Sequence, residues 1–313
     1  MAKTLVPKKK LLKKAAPVQI AKKAVAVQPL KKAVKPAKPK KIFKNFFVKI
    51  FSRHPSIAPL RKTILTPMNV LYRHGSTTDP VLKKYDVEIN TAEAIRNSAS
   101  KLRMKNKFQE AGVKTAVWYT YNGNNFMNGN AAVEGPIEFP IVAKHIHGSR
   151  GRGNYLLNTE AEFNEWRQGK VFANYIFEKF YNYNREYRLH VTEAGCFYTC
   201  RKMLKSDTPE KDRWFRNDSN SVWIIESNPD FDKPTNWKAI EEECVKAVKA
   251  TGLDVGACDV RVQSAKTGKG KDREAPDFIV LEVNSAPSMG EITLEKYREE
   301  LPKIAARKFA KNK

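Results

Sequence analysis

The alternation of apolar and polar positions divides the chain into three stretches. Up to about residue 40 there is none: Lys, Ala, Pro and Val recur loosely, as in Lys31-Lys32-Ala33-Val34-Lys35-Pro36-Ala37-Lys38-Pro39-Lys40. Proline and charge both oppose a packed core, so residues 1–40 read as a disordered polycationic arm. At Lys41 the pattern changes. Ile42, Phe43, Phe46, Phe47, Ile50 and Phe51 recur at spacings of three and four among Lys41, Lys44, Lys49 and Arg53, which predicts an amphipathic basic helix ended by His54-Pro55. Docking on the following domain is its expected role, with a membrane surface or a partner groove as the alternatives. Residues 41–90 are completed by one or two weak strands between Lys62 and Ile89, around the polar turn Arg73-His74-Gly75-Ser76-Thr77-Thr78.

From residue 91 onward the periodicity is that of a mixed domain. A helix starts at a threonine cap, Thr91, carries Ala94, Ile95, Leu102, Met104 and Phe108, and closes at Gly112. Ile137 to Lys144 reads as a strand, followed by His145-Ile146-His147-Gly148-Ser149-Arg150-Gly151-Arg152-Gly153-Asn154 and a resumed strand at Tyr155. A helix near residues 159–168 precedes strands at Val171–Tyr181, Glu186–Val191 and Cys196–Leu204, then a polar loop at Pro209–Ser221. Helices at about Asn236–Thr251 and Thr293–Phe309 flank two further strands, Asp254–Val262 and Phe278–Asn284. Short strands joined by hairpin-length turns argue for antiparallel sheets and an α+β class.

The last of these strands carries the clearest chemistry. Residues two apart on a strand share a face, so Glu282 and Asn284 project together beside the turn at Pro287. If the strand bearing Asp259 and Arg261 is its neighbour, Asp259 joins them in an oxygen-rich cluster suited to magnesium. The alternative is that they decorate a solvated sheet face. The Gly148–Gly153 hairpin lets backbone N–H groups approach phosphate oxygens closely, although a mobile surface hairpin or an RNA-binding Arg-Gly segment would look similar.

Charge adds an asymmetry. Of 58 Lys and Arg residues, 20 precede Asp79, before which no Asp or Glu occurs. The remainder, against all 33 acidic residues, has a net charge of only +5, so the basicity belongs to the arm and its junction. Such an arm suits salt-sensitive binding to nucleic acid or to an acidic protein surface, or serves as a spacer. Four cysteines without a C-x-x-C pair fit a reducing compartment. No apolar run reaches the length of a transmembrane segment, and Lys residues interrupt the start too often for a signal peptide. A cytoplasmic location is expected.

Three features now stand in order: a strand-end lysine before a glycine-rich hairpin, Glu178-Lys179-Phe180-Tyr181 after the next helix, and Asp259 followed by Glu282-Val283-Asn284. Together they resemble the ATP-grasp superfamily over about residues 90–306, and Leu281-Glu282-Val283-Asn284-Ser285-Ala286-Pro287 is most similar to its RimK-type carboxylate–amine ligases. The resemblance implies two α/β lobes with antiparallel sheets enclosing a nucleotide cleft, the domain spanning 91–313 with a small lobe at about 115–180 and a large lobe at about 181–313. It implies ATP and magnesium, or manganese, as cofactors. Lys101 and Lys144 match the phosphate-contacting lysines, and Gly148, Ser149, Arg150, Gly151 and Gly153 the loop over the β- and γ-phosphates. Glu178, Lys179, Phe180 and Tyr181 match the hinge that reads the adenine edge and, through an acidic side chain, the ribose, with Glu186 a second acid for the ribose or for a contact lower in the cleft. Asp259, Glu282 and Asn284 match the metal ligands. Arg201 matches an arginine that faces the reacting groups, with Lys144 beside it in the catalytic set and Arg188, Arg216 and Arg261 as further candidates.

The implied reaction joins a carboxylate to an amine through an acyl phosphate, on a small-molecule, peptide or protein substrate. Three features depart from the family. The segment before Asn90 is shorter than the α/β domain that normally precedes the grasp, and Ser288 and Asn154 stand where glycine and an apolar residue are usual. The competing reading is a nucleotide-binding, virion- or nucleic-acid-associated protein of bacteriophage type, whose arm is the working part. A kinase of the same superfamily is a third.

Overall fold

The computed structural model describes residues 57–60, 68–78, 85–149 and 151–311 in full, and residues 46–50 by their backbone. The basic arm lies outside the described residues, as do Arg150 of the glycine loop and residues 62–67 of the segment in which weak strands were expected.

The leading segment forms a small parallel sheet, β1 (Phe46–Ile50), β2 (Val70–His74) and β3 (Val87–Ile89), with β2 in the middle. This corrects the amphipathic helix: residues 46–50 are a strand. Phe46-Phe47-Val48-Lys49-Ile50 is rich in the aromatic and β-branched residues that favour strands, and every residue of β2 is buried, so its backbone groups need a ladder on both sides. The helical spacing of the phenylalanines was subordinate to that demand.

The helix expected from Thr91 to Gly112 is two helices. Thr91 caps α1 (Ala92–Ala99) by accepting from Ala94 N–H, and Ser100, extended at φ −103°, then caps α2 (Lys101–Glu110) by accepting from Arg103 N–H. The break gives Lys101 the first position of a new helix.

Two antiparallel sheets follow. The six-stranded sheet has the order β6-β5-β4-β9-β7-β8 and comprises β4 (Trp118–Tyr121), β5 (Phe126–Asn128), β6 (Ala131–Ala132), β7 (Ile141–His145), β8 (Asn154–Leu157) and β9 (Tyr175–Lys179). Helix α3 (Glu160–Trp166) packs Phe163 against Tyr121, Ile141, Leu157 and Phe177 of this sheet. The five-stranded sheet, of order β12-β11-β10-β13-β14, comprises β10 (Arg185–Thr192), β11 (Gly195–Leu204), β12 (Ser221–Ile225), β13 (Val255–Val262) and β14 (Phe278–Asn284). One face is covered by α4 (Trp237–Thr251), α1 and α2, in a core that includes Tyr187, Ile240, Val260 and Val280. Helix α5 (Glu291–Lys311) packs Tyr297, Leu301 and Ile304 against Val70, Tyr72 and Ile89 of the parallel sheet. The other face of the five-stranded sheet looks into a cleft of about 420 Å³, closed opposite by β7, β9 and the glycine loop.

Candidate functional site

Three lysines enter the cleft region from α2 and β7. The Lys101 N–H donates to the Ile146 carbonyl at 2.9 Å, and its Nζ donates to the Gly148 carbonyl at 2.6 Å while lying 3.8 Å from Glu282 Oε2. Lys144, on β7, places Nζ 2.6 Å from Glu178 Oε2 on the neighbouring β9. Lys105, one turn beyond Lys101, is fully buried; its Nζ lies 3.2 Å from Glu178 Oε1 and donates to Thr115 Oγ1 at 2.5 Å. Burial pushes the Lys105 ammonium down to about 8 against the pull of Glu178. Burial would raise the Glu178 carboxyl, but Lys105 and Lys144 outweigh it and hold it down at about 2.

The glycine loop is glycine by necessity at two positions. A Cβ on Gly148 would sit 2.5 Å from the Arg152 carbonyl oxygen and 3.1 Å from that of His145. Gly153 has φ +76°, and its Cβ would meet the His145 Cβ at 2.9 Å. The polar loop after β11 closes in from the other side, with the Phe215 ring 3.7 Å from where a Gly151 Cβ would be.

Across the cleft, Asp259 on β13 stands directly opposite Glu282 on β14. Asn284 Nδ2 lies 3.4 Å from Asp259 Oδ2 and 3.3 Å from Glu282 Oε1, so the three side chains converge as expected of a shared strand face. Arg188, opposite Asp259 on β10, holds both of its oxygens, at 2.6 and 2.8 Å. Burial opposes the guanidinium charge, yet Asp259 outweighs it and raises the Arg188 pKa. Among the described residues no group of three or more His, Cys, Asp or Glu side chains is placed to hold a metal; here the third member is an amide. Two carboxylates and an amide oxygen, which a half-turn of Asn284 would present, are nonetheless a hard-oxygen set that fits magnesium.

No protein-family model matches the chain, and no curated protein sequence does. Solved structures do. A D-alanine–D-alanine ligase from Bacillus anthracis, complexed with ATP, superposes with a TM-score of 0.52 at 13% identity, over 78% of this chain and 81% of that one. The D-alanine–D-alanine ligase of Coxiella burnetii gives 0.51 at 13% identity, over 78% and 69%. The chain has the ATP-grasp fold.

The Glu178–Tyr181 segment runs out of β9 along the cleft wall. The Lys179 and Phe180 N–H groups are used by the Val117 and Pro140 carbonyls, whereas the Tyr181 N–H makes no hydrogen bond among the described residues. Lys179 Nζ reaches outward to Glu138. The Glu178 carboxylate is taken up by the two lysines, and Glu186 is held by Arg261 Nε at 3.1 Å and lies 3.6 Å from Arg216 Nη1.

Arg201 is not in the cleft. Its ladder partner is Tyr187, which belongs to the core under α4, and its Nη1 donates to the Asp230 carbonyl at 2.6 Å. The pleat therefore turns Arg201 to the opposite face of the sheet, and the next residue, Lys202, faces the cleft instead. Lys202 Nζ donates to the Arg216 carbonyl at 3.0 Å and sits 5.1 Å from the Trp223 ring centroid. It makes no ion pair among the described residues. Arg188, Arg216 and Arg261 all line the cleft. None of Lys105, Lys202 and Trp223 was a site candidate in the sequence reading.

Proposed function

We propose that the protein is an ATP-dependent ligase joining a carboxylate to an amine, of the RimK-like kind. The observation that carries this is the meeting, in one cleft, of Lys101, Lys144 and the glycine loop with Asp259, Glu282 and Asn284. The lysines and loop N–H groups would bind the β- and γ-phosphates, the Tyr181 N–H and the apolar lining the adenine, and Glu186 the ribose. Asp259, Glu282 and Asn284 would hold magnesium, which supplies neutralisation of the triphosphate charge when bound.

The chemistry needs positioning more than a nucleophilic side chain. The substrate carboxylate oxygen bonds to the γ-phosphorus while the bond to the ADP oxygen breaks. The amine nitrogen then bonds to the acyl carbon, inorganic phosphate leaves, and the nitrogen loses a proton. Lys202, Arg188, Arg216 and Arg261 surround the position of the transferring group with positive charge. Phe215, packed against the glycine loop at Gly151, would help to keep water from the acyl phosphate. The test is to incubate purified protein with ATP, magnesium and pools of amino acids and peptides: a new amide by mass spectrometry with matching phosphate release supports the proposal, and a phosphorylated product without an amide indicates a kinase.

A further inference from the structure

The buried ammonium of Lys105 does not itself line the cleft, yet it is placed against the one carboxylate that Lys144 also uses. Lys105 takes Glu178 Oε1 at 3.2 Å and Lys144 takes Oε2 at 2.6 Å. Lys105 is wholly inaccessible, Glu178 nearly so, and Lys144 keeps 14% of its side chain exposed, on the cleft side. The three charges sum to one positive charge, and Lys144 is the member that presents it. Without Lys105 the remaining pair would be neutral, and a fully buried carboxylate would have Lys144 as its only counter-charge, a contact that is costly to give up.

We propose that Lys105 is a positioning residue that neutralises Glu178 from beneath, so that Lys144 is free to turn from Glu178 to a nucleotide phosphate. Thr115 Oγ1 fixes the Lys105 ammonium from its other side and itself donates to the Val280 carbonyl of β14 at 2.7 Å, which ties the device to the five-stranded sheet. The charged groups facing Lys105 are Glu178 and Lys144, with Glu282 further off. The lowered pKa of Lys105 is the consequence of burying a cation whose only near counter-charge is shared.

This inference rests on the nucleotide reading of the cleft, and its test separates the two. The affinities of ATP with magnesium, and of adenosine, are measured by calorimetry on full-length wild type, Lys105→Met, Lys105→Arg and the double variant Lys105→Met/Glu178→Gln. Lys105→Met should weaken ATP about tenfold or more and leave adenosine unchanged, because only the phosphate contact is affected. Lys105→Arg should stay near wild type. The double variant removes both buried charges, so it should fold even if the single variant does not, and should recover ATP affinity to within about threefold. Unchanged ATP affinity in Lys105→Met, equal losses for ATP and adenosine, or no recovery in the double variant would overturn the inference alone. A wild-type protein that binds neither ligand would overturn the nucleotide reading, and this inference with it.

Discussion

Glu282→Gln isolates the charge of the cation site with almost no change of shape. Glu282 has 33% of its side chain exposed and one distant ion pair, to Lys101 at 3.8 Å, so the loss to folding should be about 1 kcal/mol or less, a fall in Tm of no more than about 4 °C. The loss to catalysis is larger. A unit charge about 4 Å from another is worth roughly 4 kcal/mol at an effective dielectric constant of about 20. Discounting for the exposed third leaves about 3 kcal/mol, which is roughly two decades of rate. The assay is phosphate release at saturating ATP and magnesium, with the melting curve recorded on the same preparation. Turnover within about threefold of wild type, with binding intact, would refute the assignment of Glu282 to the cation.

Three further outcomes are expected. Gly148→Ala should raise the KM for ATP about tenfold with little change in Tm, because the added Cβ meets the Arg152 carbonyl at 2.5 Å and the loop must reshape; steady-state kinetics check this. Stability should fall as pH drops below about 4.5, since Glu178, held at about 2 when folded, returns to about 4.3 when unfolded. Its charge therefore stabilises the fold above the unfolded value, and about 3 kcal/mol is lost as pH falls through the folded one. Urea titrations at several pH values should show this limb flattened in Lys105→Met/Glu178→Gln. Deleting residues 1–40 should leave ATP turnover intact; a gel-shift series of the full chain and the deletion variant across salt concentrations decides whether the arm binds DNA or is a spacer.

What the sequence made legible was local and periodic. Glu282 and Asn284 share a face because a strand has a period of two, and the pairing that brings Asp259 to them followed once both strands were recognised. The ladder slips between Asp259 and Val260, an irregularity no alternation reveals. The same period explains the failure at Arg201. Arg201 and Lys202 are both basic and adjacent, and only the register of β11 against β10 decides which one faces the cleft. The strand at Phe46–Ile50 was misread because its apolar spacing suits either element and its pairing partner lies beyond the window of any local pattern. Ser100 was a readable cap in retrospect, yet the apolar positions Ala94, Ile95, Leu102, Met104 and Phe108 continue a helical spacing across it and concealed the break that aims Lys101 at the glycine loop. Lys105 carried no signal, since burial is a tertiary property and the sequence does not distinguish it from Lys107, which is exposed on the same helix.

The central claim, that a carboxylate is activated by the γ-phosphate of ATP in this cleft, is tested most directly by isotope transfer. A pool of amino acids and peptides labelled with heavy oxygen in their carboxyl groups is incubated with the protein, ATP and magnesium, and the released phosphate is analysed by mass spectrometry. The expected result is one labelled oxygen per phosphate, formed in step with a new amide. Phosphate free of label, with oxygen drawn only from ATP and water, would contradict it.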